Sequence, residues 1–242
     1  IRRLPRREKR RILFRKDNVY IMLRIALDGP SGAGKSTLAR DIADYYGIIY
    51  LDTGALYRTV GLAAKLHGVD PHSEPEMTEL LPSVKIDVRI EAGEQRVYLD
   101  GEPVGDRIRT PEMSMYASAV SALPSVREFL YETQRGFAKS NSVIMDGRDI
   151  GTVILPDADV KIYLVASDEV RATRRLNELK AKGIDTTYDE VLADMKRRDK
   201  ADSGRSIAPA VKADDAVLLD NSNLDRENTL KAAIQIIESK KK

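Results

Sequence analysis

Residues 29–37 read Gly-Pro-Ser-Gly-Ala-Gly-Lys-Ser-Thr and directly follow an apolar run that ends at Leu27. This is the complete G-x-x-x-x-G-K-[ST] phosphate-binding pattern, placed between an apolar segment and a segment with helical periodicity. Its glycines let the backbone curl so that several N–H groups point at one anion. A helix that begins near Lys35 adds the positive end of its dipole. The stretch therefore predicts a strand, a phosphate-binding loop and a helix, in that order.

Two side chains of this loop have a direct use in nucleotide chemistry. Lys35 can reach the β- and γ-phosphates of a nucleotide, and the Ser36 hydroxyl can bind Mg²⁺. A glycine-rich turn that binds nothing would have no use for Lys-Ser-Thr at that spacing. We therefore expect a protein that binds a nucleoside triphosphate.

The composition excludes several other kinds of chemistry. The 242-residue chain has no cysteine, which excludes disulfides, thiolate metal sites and a cysteine nucleophile. It has two histidines, His67 and His72, so a histidine-based metal site is not expected. No run of about 18 apolar residues occurs, so we expect no membrane-spanning segment. The charged fraction of 32% favours a soluble, cytoplasmic protein.

The charge is distributed unevenly along the chain. Residues 1–21 hold nine Lys and Arg residues and two acidic ones, a net charge of +7, so the rest carries −5. We expect residues 1–22 to be a disordered or extraneous basic leader. The alternative is an arm that binds nucleic acid. For the mildly acidic remainder, neither nucleic acid nor a membrane is an expected partner.

From Met22 onward, short apolar segments alternate with amphipathic ones. This alternation predicts a three-layer α/β/α fold with a central parallel sheet covered by helices. Predicted strands span residues 23–28, 48–51, 143–145, 160–165 and 216–220. Predicted helices span residues 35–46, 53–67, 168–182, 188–200 and 227–240.

One stretch, at about residues 83–108, breaks this rhythm. Apolar and polar residues alternate with a period of two, and glycine-containing turns join the segments, one of them at Asp100-Gly101. This pattern predicts a small antiparallel insert. It has too few apolar residues to form an independent domain, so we expect it to lie over one end of the parallel sheet.

Two motifs follow predicted strands at the end of the sheet where ligands of α/β proteins bind. In Leu-Asp-Thr-Gly-Ala-Leu-Tyr-Arg, which ends at Arg58, Thr53 is expected to cap the next helix. In Asp-Gly-Arg-Asp-Ile-Gly, residues 146–151, Arg148 offers a planar fork for phosphate and Asp149 an acceptor for an exocyclic amine. Asp146 is placed to support a Mg²⁺ ion bound at Ser36, either directly or through water.

Two arginine-rich segments follow. Around residues 196–209, Arg198, Asp202 and Arg205 would line up on one side of a helix, which predicts a lid that closes on phosphate and excludes water. On the preceding helix, Arg171, Arg174 and Arg175 form a ridge. They either support the lid or pair with Asp168 and Glu178, and the sequence does not decide between these two.

Taken in order, the motifs at residues 29–37, 51–58, 146–153 and 197–209 resemble those of the bacterial cytidylate kinases (CMP kinases), a family of nucleoside monophosphate kinases. The resemblance covers about residues 22–240 and leaves out the leader. It implies a single P-loop kinase domain over residues 23–242. It also implies ATP as donor with Mg²⁺, CMP or dCMP as acceptor, and a monomer. The residues implied to bind ATP are Gly29, Pro30, Ser31, Gly32, Ala33, Gly34, Lys35, Ser36 and Thr37.

The resemblance also implies roles on the acceptor side. Catalysis would fall to Lys35, Arg148, Arg198 and Arg205. Arg58 and Arg148 would face the acceptor phosphate, and Asp149 would accept the cytosine amino group. The residues implied to bind CMP are Thr53, Arg58, Arg109, Ser118, Arg127, Arg148, Asp149 and Asp202. Two other functions stay open from sequence alone: a kinase for another nucleoside monophosphate or small molecule, and a nucleic-acid-binding protein that uses the basic leader.

Overall fold

The structure is a computed structural model that describes residues 14–16 and 19–240. The ten strands of that part are β1 (Phe14–Lys16), β2 (Val19–Ile21), β3 (Arg24–Asp28), β4 (Ile49–Asp52), β5 (Ile86–Glu91), β6 (Glu94–Leu99), β7 (Glu102–Pro103), β8 (Val143–Gly147), β9 (Val160–Val165) and β10 (Val217–Asp220). Its eight α-helices are α1 (Lys35–Tyr46), α2 (Thr53–His67), α3 (Glu74–Leu80), α4 (Pro111–Val120), α5 (Pro124–Ser140), α6 (Asp168–Ala181), α7 (Tyr188–Ser203) and α8 (Arg226–Lys240). None of these helices combines the length and apolar character needed to cross a bilayer.

A five-stranded sheet with the order β10-β9-β3-β8-β4 forms the centre of the fold. Every pairing in it is parallel, so the carboxyl ends of the strands meet along one edge. Because β3 lies in the middle, the loop that follows it has neighbours on both sides. The neighbouring strand β8 and, one place further out, β4 deliver their own loops along the same edge.

Both faces of the sheet are covered. On one face, Ile25 and Leu27 of β3 pack with Leu38 and Ile42 of α1 and with residues of α8. On the other, Ala26 packs in a cluster with residues of β8, β4 and α5. Alternate residues of one strand thus face two different helical layers, as a doubly covered parallel sheet requires. The predicted α/β/α fold class is confirmed.

The predicted antiparallel insert is present as a separate three-stranded sheet with the order β5-β6-β7. Its positive-φ turns are at Ala92-Gly93 and Asp100-Gly101. Val97 and Leu99 point into a cluster that also holds buried residues of α2, α3, α4 and α5. The insert therefore packs on the helices beside β4, the edge strand of the main sheet.

Three helices, α3, α4 and α5, were not predicted. Each begins with a proline in its first turn: Pro75 in α3, Pro111 in α4 and Pro124 in α5. Proline is suited to that position because its missing N–H has no intrahelical partner there. Ser73 and Thr110 cap the first two of these helices. For α3 and α4, a cap residue followed within two positions by proline was the sequence signal from which the helix could have been predicted.

The basic leader was expected to be disordered or extraneous. The structure pairs β1 with β2 in antiparallel fashion, Phe14 opposite Ile21. The expectation for residues 1–13, 17 and 18 lies outside the described residues, and the leader's role stays a prediction.

Two helical glycines give opposite expectations for stability. A Cβ at Gly61 of α2 would lie 2.7 Å from the Cβ of Tyr116 in α4, whereas one at Gly136 of α5 would meet nothing within 4 Å. Gly61→Ala should lower the free energy of unfolding by about 1–3 kcal/mol through overpacking. Gly136→Ala should raise it by about 0.5–1 kcal/mol because alanine favours the helix. Urea unfolding of both variants measures this; equal effects would contradict the α2–α4 packing.

Candidate active site

One cavity of about 640 Å³ lies at the carboxyl ends of β3, β8 and β4. Most of the predicted site residues line it, namely Ser31, Gly32, Gly34, Lys35, Ser36, Thr37, Thr53, Arg58, Arg109, Ser118, Arg127, Asp146, Arg148, Asp149, Arg198, Asp202 and Arg205. Gly29, Pro30 and Ala33 do not line it. They belong to the turn of the loop behind it.

The phosphate-binding loop forms one wall. A Cβ at Gly29 would lie 2.0 Å from the carbonyl oxygen of Leu164, so glycine is needed where β3 ends against β9. The Lys35 ammonium is buried and donates to the Pro30 carbonyl at 2.7 Å. Burial lowers its pKa, and the nearby Arg148 guanidinium lowers it further. An anion bound in the loop would oppose both effects and favour the charged lysine.

Oxygen donors gather beside this loop. The Ser36 hydroxyl donates to one oxygen of the Asp146 carboxylate at 3.0 Å, and the Tyr50 hydroxyl donates to the other at 2.8 Å. Asp146 is buried, and burial raises its pKa. A carboxylate and a hydroxyl held side by side form a donor set that suits Mg²⁺.

The opposite wall begins at Asp52. Its carboxylate accepts the Ala55 N–H at 2.9 Å, which caps α2, and pairs with Arg58 at 3.0 Å. The predicted capping role of Thr53 is therefore wrong. Thr53 is the first residue of the helix and donates instead to the Asp146 carbonyl at 2.7 Å. The preceding acid wins the cap because its side chain lies one residue before the first helical turn.

A buried ion pair lies further along this wall. Arg127 of α5 pairs with one carboxylate oxygen of Asp149 and donates to the Ser121 carbonyl at 3.1 Å. Burial raises the pKa of Asp149, an effect that Arg127 opposes. The other carboxylate oxygen, Oδ1, accepts no hydrogen bond from residues within 19–240. One acceptor thus stays available at the cavity.

Helix α7 and the turn after it close the cavity from above. Arg148 donates through Nε to Asp202 at 3.0 Å. Arg205 donates to the Ser121 hydroxyl at 2.9 Å, so the segment predicted as a lid contacts the acceptor wall. The Arg198 guanidinium makes no hydrogen bond with any described side chain or carbonyl, and its Nε is buried. Burial lowers the Arg198 pKa to about 10.

Two of the three arginines of α6 do, between them, both of the things that the sequence left open: they contact the predicted lid, and they pair with acidic residues of their own helix. Arg171 pairs with Asp168 but also with Asp199 of α7, and it donates to the Ser31 carbonyl at 2.8 Å. Arg175 pairs with Glu178. Arg174 donates at 3.1 Å to the side chain of Asn221, a buried residue that the sequence analysis missed.

A second missed residue is Asp28, at the end of β3. Its carboxylate accepts the N–H of Ile150 at 2.8 Å and that of Gly151 at 2.7 Å. The two glycines around Arg148 and Asp149 lie in close packing: a Cβ at Gly147 would lie 2.7 Å from the Ile150 side chain, and one at Gly151 would lie 3.1 Å from the Lys161 side chain and 3.3 Å from Asp28. Both φ angles are negative, so no left-handed turn is required. Asp28 thereby fixes the loop that carries Arg148 and Asp149 onto the strand that carries the phosphate-binding loop.

A phosphate-binding loop after the central strand, with a facing wall of arginines and a helix that closes over both, defines a P-loop kinase. A family model described as cytidylate kinase matches residues 25–239. The chain belongs to this family.

Two cytidylate kinases are similar to this chain over most of its length. A cytidylate kinase from Fervidobacterium nodosum is 48% identical, over 90% of this chain and 97% of the relative. One from Caldicellulosiruptor bescii is 46% identical, over 88% of this chain and 95% of the relative. Among solved structures, a shikimate kinase from Acinetobacter baumannii is 17% identical with a TM-score of 0.42, covering 91% of this chain and 96% of the other.

Asp28 should make the free energy of unfolding depend measurably on pH. Burial raises its pKa to about 6. Between about pH 4 and pH 6 the folded protein therefore holds a proton that the unfolded chain has released, so the stability contributed by Asp28 falls as pH rises through this window. Two pKa units correspond to about 3 kcal/mol.

Urea unfolding between pH 4 and 7 tests this against Asp28→Asn. The wild-type free energy of unfolding, measured relative to the variant, should fall by up to about 3 kcal/mol and level off above pH 6. The comparison with the variant removes the contributions of other carboxylates. Two parallel curves would exclude a raised pKa for Asp28.

Proposed function

We propose that this chain transfers the γ-phosphate of ATP to CMP or dCMP, giving ADP and CDP or dCDP. The charge of the cavity carries this proposal. Among the described residues, eleven basic side chains line it against five acidic ones. A phosphoryl transfer between two phosphate esters brings several negative charges into one place, and an excess of arginine and lysine on both walls matches that need.

The donor would bind on the wall built by residues 29–37. Backbone N–H groups of the loop and of the start of α1 would bind its phosphates, and Lys35 would exchange the Pro30 carbonyl for a phosphate oxygen. A smaller cavity of about 160 Å³ shares Gly34, Thr37 and Arg174 with the main one and also contains Asn221. We assign it to the base of the donor.

The acceptor would bind on the facing wall. Arg58 and Arg148 would hold its phosphate, and Asp149 would accept a hydrogen bond from the cytosine amino group through Oδ1. Thr53, Ser118, Arg109 and Arg127 line the same region, and Asp202 would contact the ribose. Uracil lacks this amino group, so a buried carboxylate distinguishes the two bases.

Catalysis would come from positioning and charge. The transition state of phosphoryl transfer is loose and spreads negative charge over three equatorial oxygens. Lys35, Arg148, Arg198 and Arg205 surround the space between the two walls. No carboxylate of the described residues lies within hydrogen-bond distance of the Arg198 guanidinium, so a transferring phosphoryl group would provide an anionic partner. No covalent intermediate is required, and the acceptor phosphate is already ionised, so a general base is dispensable.

Ser36 and Asp146 are the residues that would hold Mg²⁺, with Asp146 acting directly or through water. Their oxygens lie 3.0 Å apart at the donor wall, which is a fitting donor set. When bound, the ion neutralises charge on the donor phosphates. The Tyr50 hydroxyl bond to Asp146 keeps that carboxylate turned toward Ser36. A cytoplasmic location, a monomeric state and the absence of a nucleic-acid partner stay predictions.

Lys35→Ala should lower the rate of transfer at least about 100-fold, because a preorganised charge at the donor phosphates is lost. The assay measures ADP release with CMP, dCMP, UMP, AMP, dTMP and shikimate as acceptors. Lys139→Ala, which removes an exposed lysine of α5, is the control and should change nothing. An unaltered rate for Lys35→Ala would exclude the donor site. If the wild type used another acceptor faster than CMP, the chain would still be a kinase, but CMP would not be its preferred acceptor.

Asp149→Ala should narrow the preference for CMP over UMP. Loss of one buried acceptor is worth roughly 1–3 kcal/mol, so the ratio of the two kcat/KM values should fall about fivefold or more. Asp149→Asn offers an N–H₂ group that suits the uracil carbonyl and should reduce the ratio further. A thermal melt checks that each variant is folded. An unchanged ratio in both variants would exclude Asp149 from base recognition.

A further inference from the structure

The edge of the main sheet at β4 is covered by a side chain instead of a strand. β4 is the last strand in the sheet, so its outer backbone groups have no strand partner in it. At Asp52, the N–H donates to Oε1 of Gln95 at 2.6 Å, and the carbonyl accepts from Nε2 of Gln95 at 3.3 Å. Gln95 lies on β6 of the insert, 43 residues away along the chain.

This pair of bonds has the pattern of a strand pairing. A neighbouring strand in a sheet offers one N–H and one C=O to the edge, and the amide of glutamine offers the same two groups on a flexible arm. The contact falls at the last residue of β4, where the chain leaves the sheet and enters α2. The amide therefore fixes the backbone at the point from which the acceptor wall begins.

Asp52 passes this constraint to the cavity. One oxygen of its carboxylate accepts from Ala55 at the start of α2, and the other holds Nη2 of Arg58 at 3.0 Å. The Nε of Arg58 is buried and has no hydrogen-bond partner among the described residues, and Arg58 lines the cavity. The direction of the Asp52 carboxylate, and with it that of Arg58, depends on the backbone that Gln95 holds.

We propose that Gln95 is a positioning residue of the acceptor site: its amide holds the backbone of Asp52, and Asp52 holds Arg58 toward the acceptor phosphate. The proposal rests on the function proposed above. It gives the insert a specific part in the reaction, since Gln95 ties the insert to the acceptor wall and leaves the donor wall untouched. If Gln95 only fastened the insert to the domain, its loss would lower stability without a selective effect on one substrate.

The experiment measures the two KM values of Gln95→Leu, which keeps the size of the side chain and removes both hydrogen bonds. The KM for CMP should rise about tenfold, on the basis of two hydrogen bonds of ordinary strength. The KM for ATP should stay within twofold, because the donor loop is not held by this contact. Glu94→Gln and Arg96→Ala change exposed residues beside Gln95 on β6 and are the controls. Both should match the wild type.

A second comparison identifies the route through Arg58. In an Arg58→Ala background, Gln95→Leu should raise the KM for CMP less than twofold, because the residue it positions is gone. Gln95→Glu keeps one acceptor for the Asp52 N–H and should give a smaller rise than Gln95→Leu; it decides the matter if the leucine variant does not fold. Equal rises in both KM values, an unchanged KM for CMP in a folded variant, or additive effects with Arg58→Ala would each overturn the proposal. Failure of the wild type to use CMP would instead overturn the proposed function.

Discussion

Mutual repulsion of the arginines is the constraint on which the rest of the site depends. Guanidinium groups from β4–α2, α5, the loop after β8, and α7 with its following turn all line one cavity. Before an anion arrives they repel one another, and burial removes the water that would screen them. Burial lowers the pKa values of Arg198, Arg205 and Lys35, and neighbouring guanidinium groups lower them further. The fold must hold these groups in place without neutralising all of them.

The structure meets this constraint with carboxylates that are shared between elements. Asp52 holds Arg58, Asp149 holds Arg127, and Asp202 holds Arg148. Each of these ion pairs fixes the direction of a guanidinium group. The other N–H groups of the same arginine remain available for a ligand. Among the described residues, the Arg198 guanidinium makes no such bond, and Arg198 lies on the helix that closes over the cavity. Dipoles and charges oriented in advance need little reorganisation during the reaction, which is the main source of catalysis in a site of this kind.

Local sequence patterns were sufficient for the central sheet, the phosphate-binding loop and the antiparallel insert. They were sufficient because each depends on neighbours in sequence: an apolar period, a glycine at positive φ such as Gly34, or a turn such as Asp100-Gly101. The contacts that sequence reasoning missed join residues far apart in the chain. Asp28 bonds to backbone 122 and 123 residues away, and Gln95 to backbone 43 residues away. Nothing in the residues around an aspartate or a glutamine tells which distant N–H its side chain will meet.

The Arg127–Asp149 pair sets how much discrimination between bases the site can achieve. When the ligand offers no donor, a buried carboxylate without any partner costs far more free energy than a buried carboxylate that already has one. Asp149 keeps Arg127 on one oxygen whether the acceptor is CMP or UMP, so the difference between the two bases falls on Oδ1 alone. That places the expected selectivity toward the lower end of the range for a lost buried hydrogen bond, about 1–3 kcal/mol. The same arginine that keeps the empty site stable therefore limits how strongly the filled site rejects uracil.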